Sequence, residues 1–233
     1  MFLLLIPSLI VITAAQQPRP CTSPGQWEAR VHSSNWKLGG DLQGQLSYDS
    51  VSQRTRILQK TKVGQTETYY DIITLYRAKL VFFTDVKSGH CSYYSFDQPW
   101  YDFGIQPDAV SLGEAYIGSS MLSDANLLVT IWFVLFSRSF SPEIDCIFAR
   151  TGNQTIPLNE TAKYIGVWTY AECLPVSNIS FEPNGSINYI RYYDVTLGID
   201  DPNVFIPPQQ CFLGKNHPGL HTIFDRPMNI KLD

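Results

Sequence analysis

The spacing of the apolar residues is the strongest constraint on this chain, because they recur at every second position and rarely at the 3.6-residue period of a helix. Residues 69–76 and 79–85 are two such runs, separated only by Arg77 and Ala78, which predicts a hairpin of antiparallel strands. The same pattern predicts further strands at residues 43–48, 55–59, 90–96, 163–170, 176–181 and 187–199. Many short strands separated by turn residues predict an all-β domain, either a sandwich or an open barrel.

The start of the chain predicts export. Residues 1–15 are almost wholly apolar and end in Thr13, Ala14 and Ala15, the small residues that a signal peptidase accepts. The segment is too short to span a hydrocarbon core of about 30 Å as a helix, so removal is favoured over anchoring. Residues 16–233 then predict a single β domain.

Composition limits the classes of partner. The formal charge is -4, with no basic cluster, which argues against nucleic acid, whose phosphates require a concentrated Lys/Arg surface. Charged residues make up 16% of the chain, against roughly 25% for an average soluble domain. We expect a surface that is neutral polar, glycosylated, or apolar and covered. Four sequons predict glycosylation, with one or two of them unused: Asn153, Asn159, Asn178 and Asn184.

Two regions depart from simple alternation. Apolar residues point to both faces of two predicted strands, at Ile72, Ile73, Leu75 and Tyr76 and at residues 80–83, which predicts strands covered on both faces by another layer, a partner subunit or a ligand. Residues 98–112 are rich in aromatic residues and proline without a period. We expect a long irregular connection that packs over a sheet edge, or that serves as a lid on a pocket.

No familiar catalytic arrangement is present in the sequence. The chain has no Gly-x-Ser-x-Gly elbow, His-Glu-x-x-His, Cys-x-x-Cys or phosphate-binding loop, and we expect a protein that is not an enzyme. His217 and His221 have a helical spacing, but Pro218 and Gly219 between them favour a solvated tail over a zinc site.

Acidic and aromatic residues suggest two kinds of binding site. Asp194, Asp200 and Asp201 lie on one predicted strand and the turn after it, where they form a candidate calcium site or simply a turn in which aspartate bonds its own backbone. Aromatic residues make up 13% of the chain and concentrate on the predicted strands. They indicate either a close-packed core or the lining of an apolar pocket.

A set of short motifs in constant order resembles the ependymin family. The longest is RYYDVTLGIDDPNVFIPPQQC at residues 191–211, preceded by PRPC at 18–21, QWE at 26–28, LSYD at 46–49, QPW at 98–100 and a cluster formed by Cys173, Pro175 and Val176. The resemblance implies two stacked, curved antiparallel sheets that form a half-open barrel with a deep apolar pocket, similar to bacterial lipoprotein carriers.

The resemblance also implies function. It suggests a homodimeric, secreted or lysosomal glycoprotein that binds membrane-derived lipids such as anionic phospholipids and gangliosides, and it implies calcium binding as well. It pairs Cys21 with Cys173 and Cys91 with Cys211. Calcium-dependent extracellular cell-matrix adhesion is the alternative function, supported by the sequons and the acidic turn. The predicted pocket residues, chosen as same-face members of central strands, are Tyr70, Ile72, Phe82, Trp168, Tyr170, Ile190 and Tyr192.

One segment departs from the family. Between residues 118 and 164 the chain is longer than the family pattern, and residues 134–148 are the predicted atypical insertion. This segment overlaps the end of an uncharged run at residues 127–136. The extra residues are interpreted either as an unusual extension of a buried strand or as the product of an alternative transcript. The segment includes Cys146, a fifth cysteine that we expect to be a buried thiol or to form an intermolecular bond.

Overall fold

The computed structural model describes residues 18–35, 40–136, 162–181 and 185–213. Within these ranges the strands are β1 (Gln26–Asn35), β2 (Gly40–Asp49), β3 (Arg54–Val63), β4 (Thr66–Leu75), β5 (Leu80–Asp85), β6 (Cys91–Ser95), β7 (Val110–Gly118), β8 (Asn126–Phe136), β9 (Ala162–Thr169), β10 (Pro175–Phe181) and β11 (Ile187–Leu197). Two 3₁₀ turns, Ser123–Ala125 and Pro202–Phe205, and one helical turn, α1 (Gln210–Leu213), complete the described elements.

All described strands belong to one antiparallel sheet, in the order β6-β5-β4-β3-β2-β1-β11-β10-β9-β8-β7. The sheet curves, so that buried side chains from β2–β5 and from β8, β9 and β11 share one apolar cluster, while its two edge strands remain unjoined. The all-β, curved and half-open fold is thereby confirmed. The two predicted layers are two arms of a continuous sheet, joined by the pairing of β1 with β11.

Strand β1 shows how alternation sets the two faces. Trp27, Ala29 and Val31 are buried, whereas Glu28 and Arg30 between them are not. Side chains two residues apart share a face of a strand, so the apolar set of β1 lies on the concave face and the charged set on the convex face. Residues that pair on neighbouring strands share a face, so the concave and convex faces continue from β1 onto β2, β3 and β11.

The connection from β6 to β7 enters the concave side of the sheet. Phe103 is 6% exposed, and its ring centroid lies 5.3 Å from those of Trp27 and Trp168. Its backbone N–H donates to the Tyr48 hydroxyl at 2.8 Å. The connection therefore fills one end of the concave face, rather than packing over a sheet edge as predicted.

A second apolar cluster lies on the convex face, where it covers the outer side of β4 and β5. It contains Ile73, Phe82, Cys91 and Cys211, and the ring of Phe212 in α1 lies 5.6 Å from that of Phe82. The strands that are apolar on both faces are thus covered by the chain's own C-terminal turn on one side and by the concave core on the other.

Both disulfides implied by the family resemblance are present. Cys21 is bonded to Cys173 across 152 residues, and Cys91 to Cys211 across 120 residues. Closing a longer loop removes more entropy from the unfolded chain, so each bridge stabilises by about 5 kcal/mol in the chain-entropy model. Cys146 and most of the predicted insertion lie outside the described residues, although residues 134–136 end β8.

Gly104 allows the filling segment to lie against the N-terminal strand. Thr22 and Gly104 form an isolated bridge, and the Ile105 N–H donates to the Cys21 carbonyl at 2.8 Å. A Cβ on Gly104 would lie 2.7 Å from that carbonyl oxygen and 2.8 Å from Thr22 Cα. Both atoms belong to the backbone and cannot move aside cheaply.

We expect Gly104→Ala to lower the free energy of unfolding by about 1–3 kcal/mol, because the added methyl group overpacks a site bounded by backbone. Chemical denaturation followed by tryptophan fluorescence measures the change. Gly40→Ala is the matched control, since a Cβ there meets nothing within 4 Å. Equal effects of the two substitutions would contradict the proposed packing.

An ion pair organises the turn between β2 and β3. The Asp49 side chain is fully buried and accepts hydrogen bonds from Arg54 at 2.7 Å, from the Ser52 N–H at 3.1 Å and from Gln26 at 3.1 Å. Burial disfavours the charged carboxylate, but these donors outweigh that cost and hold the pKa of Asp49 below its ordinary value. Phe205 covers the guanidinium of Arg54 at 4.2 Å.

Because the pKa of Asp49 is lower in the folded chain, its contribution to stability is present above the unfolded pKa of about 3.9 and is lost as pH falls through the folded value. We expect Asp49→Asn to lower the free energy of unfolding by about 2–3 kcal/mol at pH 7 by leaving Arg54 unpaired. The deficit shrinks below about pH 4. Urea denaturation at pH 7 and pH 3, with exposed Asp108→Asn as the control, tests this; a pH-independent deficit would contradict it.

Candidate functional site

The end of the concave face that the β6–β7 connection does not fill is only partly covered. On the β2–β5 arm the interior-facing side chains of this end are half-buried, and we call this set the inner cleft: Leu42, Thr61, Thr68, Tyr70 and Phe83. Their place on the concave face follows from the register, in which Leu42 is opposite Thr61, Thr61 opposite Thr68, and Ile72 opposite Phe83. The rings of Tyr70 and Phe83 pack with centroids 4.5 Å apart.

The opposite arm presents a more deeply buried wall. Trp132, Ile190 and Tyr192 are 2%, 1% and 6% exposed and belong to the same concave cluster as Ile72 of β4. A Cβ on Gly166 would lie 2.7 Å from atoms of Trp168 and Tyr164, so the glycine lets these aromatic rings lie close over β9. The cleft therefore has one rigid aromatic wall and one half-exposed apolar wall.

Neutral polar side chains are interspersed with these apolar ones. Four such side chains face the concave side and are buried: Ser33, Gln59, Asn178 and Ser180. The Asn178 amide donates to the Tyr192 hydroxyl at 3.4 Å. The site can therefore offer hydrogen bonds without a formal charge.

Charged side chains of the β2–β4 region occupy the convex face. Arg56 makes two hydrogen bonds to Asp71, at 2.8 and 2.9 Å, which raise the pKa of its guanidinium. Lys60 pairs with Glu67 at 2.9 Å. These pairs lie on positions that alternate with the concave residues, so both ion pairs are on the opposite face of the sheet from the cleft.

The structure brings together most of the predicted pocket residues. Ile72, Trp168, Ile190 and Tyr192 are buried in the concave cluster, and Tyr70 packs at its margin. These residues do share a face, although Trp168 packs against Phe103 at the filled end rather than lining open space.

Two predicted pocket residues do not lie on this face. Phe82 pairs with Ile73 and belongs to the convex cluster, because the hairpin register places its neighbour Phe83 opposite Ile72 instead. Tyr170 follows the end of β9 and is 53% exposed, because the chain turns there and leaves the sheet. The prediction that these two side chains line the pocket is wrong for this register.

Sequence reasoning missed several residues of the site. Phe82 and Phe83 both fit the apolar pattern of the sequence. Only the register of the β4–β5 hairpin shows that Phe83 is the one that faces the cleft. Trp132 lies in an uncharged run whose one polar residue, Thr130, is on the same face as Trp132 and so does not indicate the outer face. Leu42 lies just before the predicted start of β2, and it pairs with Thr61, just beyond the predicted end of β3.

The three candidate calcium ligands are directed to different partners. Asp194 pairs with Arg30, the Asp200 N–H donates to Glu28 at 3.2 Å, and the Asp201 carboxylate accepts from the Asn203 N–H at 2.9 Å. Among the described residues, no three His, Cys, Asp or Glu side chains group around one point. The turn interpretation fits Asp201 better, and calcium binding stays a prediction.

The predicted glycosylation sites fall in two groups. Asn153, Asn159 and Asn184 lie outside the described residues. Asn178 is 4% exposed on the concave face, and a glycan cannot be attached to a buried amide. The burial of Asn178 therefore argues against a glycan on this residue, and glycosylation of the other three stays a prediction.

Comparisons with solved structures find distant likenesses of the whole domain. An uncharacterized conserved protein from Thermus thermophilus aligns with a TM-score of 0.47 at 11% identity, covering 80% of this chain and 87% of that one. A LolA superfamily protein from Nitrosomonas europaea aligns with a TM-score of 0.36 at 8% identity, covering 80% and 91%. At these scores the likeness carries no functional argument. Among the described residues, no helix is long and apolar enough to cross a bilayer.

Comparisons of sequence are more informative. Mammalian ependymin-related protein 1 of Rattus norvegicus is 27% identical over 195 residues, covering 83% of this chain and 77% of that protein. Ependymin of Notemigonus crysoleucas is 26% identical over 222 residues, covering 92% and 91%. The Ependymin family model matches residues 64–152 and 151–211, which is more than half of the sequence. The chain therefore belongs to the ependymin family.

Proposed function

We propose that this protein is a secreted carrier that binds the apolar chain of a lipid-like ligand in the inner cleft. The observation that supports this most directly is the half-burial of Leu42, Tyr70 and Phe83 on a concave face. Apolar side chains inside a curved sheet would be fully covered if the interior were packed from end to end. An apolar ligand would complete their burial.

The energetics favour an alkyl chain as the occupant. Each buried CH₂ group gains about 0.8 kcal/mol, so eight methylenes gain about 6 kcal/mol before the cost of immobilising the ligand is subtracted. Half-exposed apolar side chains of the cleft gain further when the ligand covers them. Few specific polar contacts are then needed for micromolar binding.

The filled end limits the depth of the site. Phe103 packs against Trp27, Tyr48 and Trp168, so the β6–β7 connection forms a floor rather than a lid. A ligand would enter from the end that carries the β1–β2 and β3–β4 turns, and its chain would stop against this aromatic floor. The floor would also stabilise the unliganded protein.

The proposed role is binding without chemistry. The five named side chains of the inner cleft include no carboxylate, imidazole or thiol, the groups that most often act as acids, bases or nucleophiles. Asp85, opposite Tyr70 on the same face, accepts hydrogen bonds from the backbone N–H groups of Lys87 and Ser88 at 2.9 Å and so closes the turn after β5. Secretion is supported by the apolar leader at residues 1–15, and membrane lipids are the proposed source of ligand. Lysosomal delivery stays a prediction. Exposed apolar side chains on the β7–β8 hairpin, among them Tyr116 and Ile117, support a homodimer.

Leu42→Glu tests the location of the site. We expect it to weaken binding of the uncharged fluorescent probe N-phenyl-1-naphthylamine at least about tenfold, because a carboxylate in the cleft must be desolvated when the probe enters. Leu58→Glu is the matched control. Leu58 lies on the neighbouring strand, but it faces outward and is 37% exposed. Fluorescence titration measures both affinities.

Two results would overturn the proposed function. One is wild-type protein that fails to take up the probe and shows no co-purifying lipid in native mass spectrometry. The other is equal loss of binding in Leu42→Glu and Leu58→Glu, which would place the site elsewhere. Circular dichroism of each variant confirms that the fold is retained.

A further inference from the structure

The depth of the inner cleft follows from the register, because concave positions recur at every second residue along each strand. On β2 these positions run from Gly40 at the mouth of the cleft through Leu42 to Leu46. Leu42 is half-buried, whereas Leu46 is 2% exposed and marks the start of the filled interior. The step from Gly40 to Leu46 spans about 20 Å at the rise of a β-strand.

The opposite arm gives a shorter depth. Asn188 of β11 pairs with Asn35 at the mouth of the cleft, and Tyr192 lies further along the same strand on the same face. The Tyr192 ring centroid is 6.0 Å from that of Phe103, so the aromatic floor begins there on this arm. The step from Asn188 to Tyr192 spans about 13 Å. From mouth to floor, the cleft is therefore about 13–20 Å deep.

The floor is held in place by contacts with strands of both arms. The Phe103 ring centroid lies 5.3 Å from those of Trp27 in β1 and Trp168 in β9. The Phe103 N–H donates to the Tyr48 hydroxyl of β2 at 2.8 Å. A ring packed in this way cannot move aside to lengthen the cleft without losing its aromatic contacts. Phe103 is therefore a rigid stop at the end of the cleft.

The depth of the cleft can be converted into a number of carbons. Carbon–carbon bonds of about 1.5 Å at tetrahedral angles advance an extended alkyl chain by about 1.3 Å per carbon. A depth of about 13–20 Å then holds about 10–16 carbons. Leu42, Tyr70 and Phe83 lie along this distance on one arm, so a chain of that length meets apolar side chains as it enters.

We propose that the inner cleft selects its ligand by the length of one alkyl chain, and that Phe103 is the residue that sets the limit. This inference deepens the proposed function and rests on it, because it describes the class of ligand for the same site. Each methylene that enters the cleft leaves water until the terminal methyl group contacts the Phe103 ring. Carbons beyond this limit stay at the mouth and add little to the affinity.

A series of saturated fatty acids tests the limit, because its members differ only in chain length. Chains of about 8 to about 20 carbons bracket the expected limit, and each acid is used to displace N-phenyl-1-naphthylamine below its aggregation threshold. We expect affinity to rise roughly two- to fourfold per added carbon and to stop rising between about 10 and about 16 carbons. An affinity that rises through the longest chain, or that does not depend on length, would overturn the proposal.

Phe103→Leu tests the residue directly. Leucine is shorter than phenylalanine by about 2–3 Å, so the chain length at which affinity stops rising should increase by about two carbons. Phe96→Leu is the matched control, because it is the same substitution in the same connection. Phe96 packs against Tyr76 instead of the floor, with ring centroids 4.9 Å apart, and its substitution should leave the limit unchanged.

Ile72→Phe tests the limit in the opposite direction. Ile72 lies on the concave face opposite Phe83 and is 8% exposed, so a larger ring at this position extends into the cleft. The limit should fall by about two carbons. Circular dichroism confirms that each variant is folded, and either variant alone can test the limit if the other does not fold.

The outcomes separate this inference from the proposed function. If wild-type protein binds neither the probe nor any fatty acid, the proposed function fails. If it binds them with an affinity that rises through the longest chain, the cleft stands and only the length limit is excluded. A limit that is the same in wild-type protein, Phe103→Leu and Ile72→Phe would exclude the floor as its cause.

Discussion

The pairing of β1 with β11 is the interaction on which the rest of the molecule depends. It joins a strand near the beginning of the described chain to its last strand, with Val31 opposite Tyr192 and Ser33 opposite Ile190. Without it the sheet would be two separate hairpin arms, and neither could cover its own apolar face. With it, Trp27 contacts both Tyr48 of β2 and Tyr192 of β11, so the curvature of the sheet and the core inside it form together.

The two ends of the concave face are packed differently. At one end Phe103 and its aromatic neighbours fill the interior and supply burial comparable to that of an ordinary core. At the other end Leu42 and Phe83 remain half-covered, and Oε1 of Gln59 has no hydrogen-bond partner among the described residues. Unfilled and unsatisfied positions cost stability, and they are commonly retained where a protein binds something.

Much of the fold follows from the sequence because alternation is a local property. The β3, β4 and β5 runs are visible in the pattern, and β1 could have been found from Trp27, Ala29 and Val31. The sequence could not show which side chains of β5 face the cleft, because both faces of this strand are apolar and no alternation with polar residues distinguishes them. Phe82 was therefore placed in the cleft instead of Phe83.

Other features of the site depend on tertiary contacts that no local pattern encodes. The β6–β7 connection has no period, so the position of Phe103 inside the sheet depends on its bridge to the N-terminal strand. The three-residue sequon at Asn178 marks a possible glycosylation site, but it does not show whether the amide faces solvent or the concave interior. The unpartnered atom of Gln59 becomes visible only when every neighbour of that side chain is known.

The two disulfides interleave along the chain, and this imposes an order of events during biosynthesis. In an exported chain, Cys21 and Cys91 would reach the oxidising compartment before their native partners Cys173 and Cys211. Pairing in the order of emergence would join the first two cysteines to each other and leave Cys146 available to the next. Such a premature bridge would have to be undone by thiol exchange before the native pairs could form. Maturation of this protein should depend on a disulfide isomerase more than that of a chain whose bridges close successive loops.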